Sequence, residues 1–127
     1  MSSTCTSASR PAASPALRLT DGKRVRMTRL TAAEGAPVGT GAPAGGIPGV
    51  VFVGGSDGAV RAVSTTNGRV MWSFDTAREF DTVNKVPARG GSISSVGAAI
   101  AGGMVFIPSG YAIIGNQVGN LLLAFGV

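Results

Sequence analysis

Histidine is absent from this chain of 127 residues, and cysteine occurs once, at Cys5. Without histidine there is no Ser-His-Asp or Cys-His relay, and no histidine to complete a Cys-x-x-Cys-His haem attachment. A single cysteine closes no internal disulfide, and Cys and His together supply no zinc ligand set. No apolar run approaches the roughly 18 residues needed to cross a bilayer as a helix. The N-terminus lacks the continuous apolar core of a secretory signal. Its Ser/Arg-rich, acid-poor composition has some transit-peptide character, which a truncated or mis-started reading frame accounts for equally well. Aromatic residues are few, at 6%, with one tryptophan and one tyrosine. Clean helical periodicity is also missing over any stretch longer than about ten residues.

What is present is glycine, at 20 residues, and proline, at 7, in a chain that is 44% hydrophobic. That combination gives many turns and few long helices, and the length allows one small domain. The net charge of +5 is unevenly spread: residues 1–49 carry +4 of it, on Arg10, Arg18, Lys23, Arg24, Arg26 and Arg29 against Asp21 and Glu34. Lys23-Arg24-Val25-Arg26 is a short basic cluster with no interleaved aromatics. It reads as a solvated tail rather than a nucleic-acid site. Residues 1–46 therefore form a low-complexity Ser/Ala/Pro/Gly-rich tail or irregular segment, disordered to about Ala16. Within it Leu17/Leu19 and Val25/Met27 alternate around Asp21-Gly22, the pattern of a hairpin. Gly39-Thr40-Gly41 is followed by no helix, and Gly22-Lys23 lacks the upstream glycine of a phosphate loop.

From Ile47 onward the chain alternates like a sheet. Val50 to Val53 is a compact apolar strand, and Gly54 to Gly58 a turn. Ala59 to Ser64 and Arg69 to Thr76 flank the turn Thr66-Asn67-Gly68, where Asn67 and Gly68 both tolerate positive φ. Val70, Trp72 and Phe74 share one face of the second limb. Further on, Val96 to Ala101, Met104 to Pro108 and Leu121 to Val127 read as strands. Gly102-Gly103 turns between the first two of these, and long loops run over Ala77 to Ser95 and Ser109 to Asn120.

Ala62, Gly68, Arg69 and Trp72 fit the spacing Ala-x-Asp-x-x-Thr-Gly-Lys-x-x-Trp, with Ser64, Asn67 and Arg69 in place of Asp, Thr and Lys. This resembles the docking repeat of quinoprotein β-propellers, the pyrroloquinoline-quinone (PQQ) enzyme repeat. The outer membrane β-barrel assembly lipoprotein carries the same repeat. Phe74 to Asn84, Pro87 to Ser92, Ala101 to Phe106, Ser109-Gly110-Tyr111 and Gly119 to Phe125 resemble the C-terminal part of polyvinyl-alcohol dehydrogenases. The resemblance covers about residues 47–127. It implies an all-β fold, an incomplete β-propeller of about two four-stranded antiparallel blades. The first strand of blade one would fall within Ala36 to Ala44. The offset from Val50 to Met104 exceeds the about 40–45 residues of an ordinary blade because of the two long loops. Blades protect one another's edges in a closed ring and two cannot close one, so the resemblance implies either a fragment of a larger propeller or a chain that must associate. In that fold Trp72 is a blade-docking core residue.

By resemblance the activity is oxidation of secondary alcohols such as polyvinyl alcohol. PQQ is the cofactor, calcium a possible second one, and cytochrome c the electron acceptor, in a protein that is periplasmic or secreted. The two long loops lie on one face of such a fold. The first holds Arg78, Asp81, Thr82, Asn84, Lys85, Arg89 and Ser92, and the second Tyr111, Asn116 and Gln117. PQQ carries three carboxylates, which call for cations and amides. Asn84, Lys85 and Arg89 are the candidates for cofactor binding, and Asp81 for the base that takes the hydroxyl proton; no metal ligand set is identified. The bland alternative is that Arg78, Glu79 and Asp81 form surface ion pairs while Asn84 and Ser92 stabilise turns. A non-catalytic scaffold propeller, like the barrel-assembly lipoprotein, is the rival function, and a gene fragment without function of its own a third.

Overall fold

The computed structural model describes residues 13–32, 38–111 and 117–126. Among them the fold is all-β, with no helix. A hairpin of β1 (Ala13–Leu17) and β2 (Arg24–Arg29) precedes a four-stranded antiparallel meander. The meander comprises β3 (Gly45–Ile47), β4 (Val50–Gly54), β5 (Ala59–Ser64) and β6 (Val70–Asp75). A two-residue-strand ladder follows, β7 (Glu79–Phe80) with β8 (Ala88–Arg89). A three-stranded meander closes the chain: β9 (Ala99–Ala101), β10 (Met104–Ser109) and β11 (Leu121–Gly126).

The turns explain the meanders. Ile47 pairs with Val50 across Pro48-Gly49, and Gly49 has φ +88°. Proline followed by a left-handed glycine is the signature of a type II turn. It places the first strand of this sheet at Gly45–Ile47, later than the stretch from Ala36 to Ala44 expected from sequence; residues 36 and 37 lie outside the described residues. Ala101 pairs with Met104 across Gly102-Gly103, whose φ values of +58° and +75° suit a type I′ hairpin. At the third turn only Gly68 has positive φ, and Asn67 does not. Asn67 instead accepts the Arg69 amide on its Oδ1 at 3.0 Å, and Ser64 Oγ accepts the Thr66 amide at 3.2 Å. The expected strand from Val96 shortens to Ala99–Ala101.

The larger sheet is covered on both faces, which is why Val50 to Val53 carries apolar residues without alternation. On one face Val53 and Val63 pack with Leu30 and Val38, backed by Ala32 and Val51. Leu30 and Val38 are 1% and 0% exposed, so residues N-terminal to the sheet supply part of its core. Burying two such side chains is worth about 1.5–3 kcal/mol each. On the other face Val60 packs with Ile93 and Ile107, surrounded by its ladder neighbour Phe74 and by Val105, Leu123 and Phe125 of the three-stranded sheet. The three-stranded sheet thus lies against the four-stranded one. Trp72 stacks on Phe74 (6.0 Å between centroids) and meets Phe125 of the other sheet edge-on (5.2 Å). It bridges the sheets as the repeat spacing suggests, yet remains 39% exposed because β6 is an edge strand.

A hairpin surrounds Asp21-Gly22 as the alternation suggests, but its first strand is Ala13–Leu17 and Leu19 lies in the turn. Arg26 donates to the carbonyls of Thr65 and Thr66 at 2.5 and 2.7 Å, and Thr28 Oγ1 to that of Gly68 at 3.0 Å. These bonds hold the hairpin against the β5–β6 turn. Ala13 to Ala16, expected to be disordered, are instead ordered in β1 by pairing with β2; residues 1–12, expected to be disordered as well, lie outside the described residues.

Candidate functional site

The two long loops meet at one end of the sheets. Thr76, Ser92 and Ser109 are 0%, 1% and 0% exposed, and every one of their hydroxyls is used. Thr76 Oγ1 donates to the Gly58 carbonyl at 2.5 Å and sits 2.6 Å from Ser109 Oγ. Ser109 Oγ accepts the Gly91 amide at 2.9 Å. Ser92 Oγ donates to the Ser56 carbonyl at 2.6 Å and accepts the Gln117 amide at 3.1 Å. Backbone bonds repeat the link: Ser92 N to Gln117 O (2.9 Å), Gly110 N to Ser92 O (3.1 Å) and Asn120 N to Arg89 O (2.9 Å). Buried hydroxyls are tolerated here because each has its partners. The approach is so close that a Cβ at Gly110, φ +89°, would overlap the backbone of Gly119.

Above this polar junction is an open cleft of about 840 Å³, lined by Glu79, Phe80, Asp81, Thr82, Lys85, Val86, Pro87, Ala88, Arg89 and Asn120. Asp81, Lys85 and Arg89, three of the candidates read from sequence, line it together. All three are exposed. Lys85 is held by local geometry: its φ is +58°, and its amide donates to the Thr82 carbonyl at 3.0 Å. The Asn84 side chain does not line the cleft. Its Oδ1 accepts Thr82 Oγ1 at 2.6 Å and the Val86 amide at 3.3 Å, the turn-stabilising role of an Asx residue. Arg89 sits opposite Glu79 in the β7–β8 ladder, with 3.9 Å between Nη1 and Oε1. Arg78, which sequence grouped with Glu79 and Asp81 as an ion-pair former, lies over two rings instead, 5.2 Å from Phe74 and 4.9 Å from Phe80. Tyr111 and Gln117 are exposed at the loop junction, and Asn116 lies outside the described residues.

Two contributors were not singled out from sequence. Asn120 Oδ1 accepts the Arg89 amide at 3.0 Å and fixes the strand that carries Arg89. Phe80 gives the cleft its aromatic wall. Their signal was faint: one asparagine 31 residues from the Arg89 it holds, and one phenylalanine among the charged residues of the first loop. Arg61, a charge inside β5, is buried away from the cleft. Its side chain is 6% exposed and paired with Asp57. Among the described residues no group of three or more His, Cys, Asp or Glu side chains gathers, so the cleft does not fit a metal ion held by such ligands.

The cleft brings two cations, Lys85 and Arg89, together with two carboxylates, Glu79 and Asp81, beside the ring of Phe80. No family model matches the chain. Among curated proteins it is similar to the polyvinylalcohol dehydrogenase of Pseudomonas sp., 46% identical over 90 residues. It is also similar to the polyvinylalcohol dehydrogenase of Sphingopyxis sp. (strain 113P3), 38% identical over 91 residues. Each alignment covers 64% of this chain and 14% of the relative. The chain therefore resembles a segment of these dehydrogenases and spans about one-seventh of their length.

Proposed function

We propose that this chain supplies two neighbouring blades of a PQQ-dependent, alcohol-oxidising β-propeller, and that the cleft receives the cofactor's anionic side. The observation that carries the reading is the 46% identity over 90 residues to a polyvinylalcohol dehydrogenase. Lys85 and Arg89 hold carboxylate groups, a task suited to charge-assisted hydrogen bonds. Phe80 offers a flat apolar surface to a planar ring. Asp81 accepts the proton of a substrate hydroxyl. When bound, PQQ accepts the electrons removed from the alcohol, and a cytochrome c takes them onward. Asn84 acts on the turn that positions Lys85, not on the ligand. No step is assigned to calcium.

A chimera tests this. The aligned segment of the Pseudomonas sp. enzyme is replaced by this chain's residues, and PQQ-dependent dye reduction with polyvinyl alcohol is measured. Retained activity, lost when Asp81→Asn is added without matching loss of cofactor affinity, supports the reading. A folded chimera that binds PQQ but shows the same turnover with Asp81→Asn removes Asp81 from the chemistry. A folded chimera that binds none supports the second reading, a non-catalytic scaffold, which the Glu79–Arg89 pairing and the spent Asn84 side chain favour.

A further inference from the structure

The β1–β2 hairpin is built inside out. Its polar residues face the protein: Arg26 and Thr28 bond to the carbonyls of the β5–β6 turn. Val25 and Met27 alternate with them and face outward, 58% and 43% exposed, with Pro15 opposite Met27. Leu17, 58% exposed, and Leu19, fully exposed, extend this apolar set to the hairpin's tip. An apolar face turned to water by a polar inner face needs a reason, since a slip of one residue would exchange the two.

The rim supplies one. Arg18, Lys23, Arg24 and Arg29 stand on the hairpin against a single carboxylate, Asp21, while Arg26 is spent on the inner face. Arg18 takes that carboxylate at 2.9 Å, and no carboxylate among the described residues pairs with Lys23, Arg24 or Arg29. Exposed aliphatic side chains rimmed by cations are complementary to an anionic lipid surface, where the chains enter the interface and the cations meet headgroup phosphates. Nucleic acid fits less well, because the segment from Ala13 to Arg29 has no aromatic ring to stack on a base. We propose that this hairpin is a peripheral membrane-docking element, specific for bilayers rich in anionic lipid, with Leu19 as its inserting tip. The inference is independent of the cleft and of any chemistry there.

The test is co-sedimentation of the full chain with vesicles of phosphatidylcholine mixed with phosphatidylglycerol, and with phosphatidylcholine alone. Partition is expected to be stronger by about tenfold or more on the mixed vesicles and to fall with salt. Lys23→Gln with Arg24→Gln should weaken it by about fivefold per cation removed. Leu19→Ser with Val25→Thr, both at exposed positions, should weaken it with the charges intact. Trp72 fluorescence reports that the variants remain folded. No partition into mixed vesicles overturns the proposal. So does binding left undiminished by Leu19→Ser with Val25→Thr, or equal binding to a short DNA duplex, which would mark a purely electrostatic surface.

Discussion

Replacing Arg61 with methionine should destabilise the fold far more than any other charge change in the chain. The guanidinium donates to both Asp57 oxygens, at 3.1 Å to Oδ1 and 2.5 Å to Oδ2, and to the carbonyls of Ala59 (3.3 Å) and Thr31 (3.2 Å). Methionine keeps most of the aliphatic stem but strands the Asp57 carboxylate and the Thr31 carbonyl. Breaking a buried pair from one side costs about 3–5 kcal/mol. Asp57 retains 21% side-chain exposure, so water partly rehydrates it, and the expected loss is about 2–3 kcal/mol. Asp57→Asn, which keeps an acceptor, should lose less. Arg61→Met with Asp57→Leu should recover most of the deficit, because the stranded charge is gone. Urea unfolding followed by Trp72 fluorescence reads all three. The Thr31 bond ties the N-terminal strand to the sheet, so amide exchange around Arg29 to Ala32 should also quicken in Arg61→Met. A loss under about 0.5 kcal/mol, the level of an ordinary surface change, would refute the pair's buried role.

Two other perturbations follow from packing. Trp72→Ala removes the ring that bridges Phe74 and Phe125, but a side chain 39% exposed contributes less than a core tryptophan; the expected cost is about 1.5–3 kcal/mol by circular dichroism melts, and no loss would mean the sheets do not rely on this contact. Gly110→Ala should cost about 3 kcal/mol or prevent folding, because a Cβ meets the Gly119 backbone at a left-handed position, whereas Gly102→Ala, with open space at φ +58°, should cost only about 1–2 kcal/mol. Similar losses at the two sites would argue against the tight loop junction.

The meanders were legible because their signals are local. Period-two alternation and left-handed turn glycines act within a few residues, and β4 to β6 and β9 to β11 follow them closely. The meeting of the two loops was legible only through the strand count, and its cause was not. Thr76, Ser92 and Ser109 are ordinary hydroxyl residues until the fold places them within hydrogen-bond reach. The contribution of Leu30 and Val38 was hidden for a related reason. Two isolated apolar residues in a Gly/Ala/Pro-rich stretch show no periodicity, and their burial comes from a sheet that forms later in the chain. Arg78 illustrates a third limit, since neighbouring opposite charges suggest ion pairs while the guanidinium, between β6 and β7, lies over the Phe74 and Phe80 rings instead. Asn84, Lys85 and Arg89 had the residue types that bind carboxylates, but only the turn geometry separates Asn84, which is consumed locally, from the two cations that line the cleft.

The most direct measurement is PQQ affinity of the chimera carrying this chain's segment, compared with its Lys85→Ala and Arg89→Ala variants by equilibrium titration of the cofactor's absorbance. Each substitution is expected to weaken binding by about 1.5–3 kcal/mol, the scale of a hydrogen bond to a charged group, with thermal stability nearly unchanged because both cations are exposed. Unaltered affinity in both variants would contradict the assignment of this cleft to the cofactor.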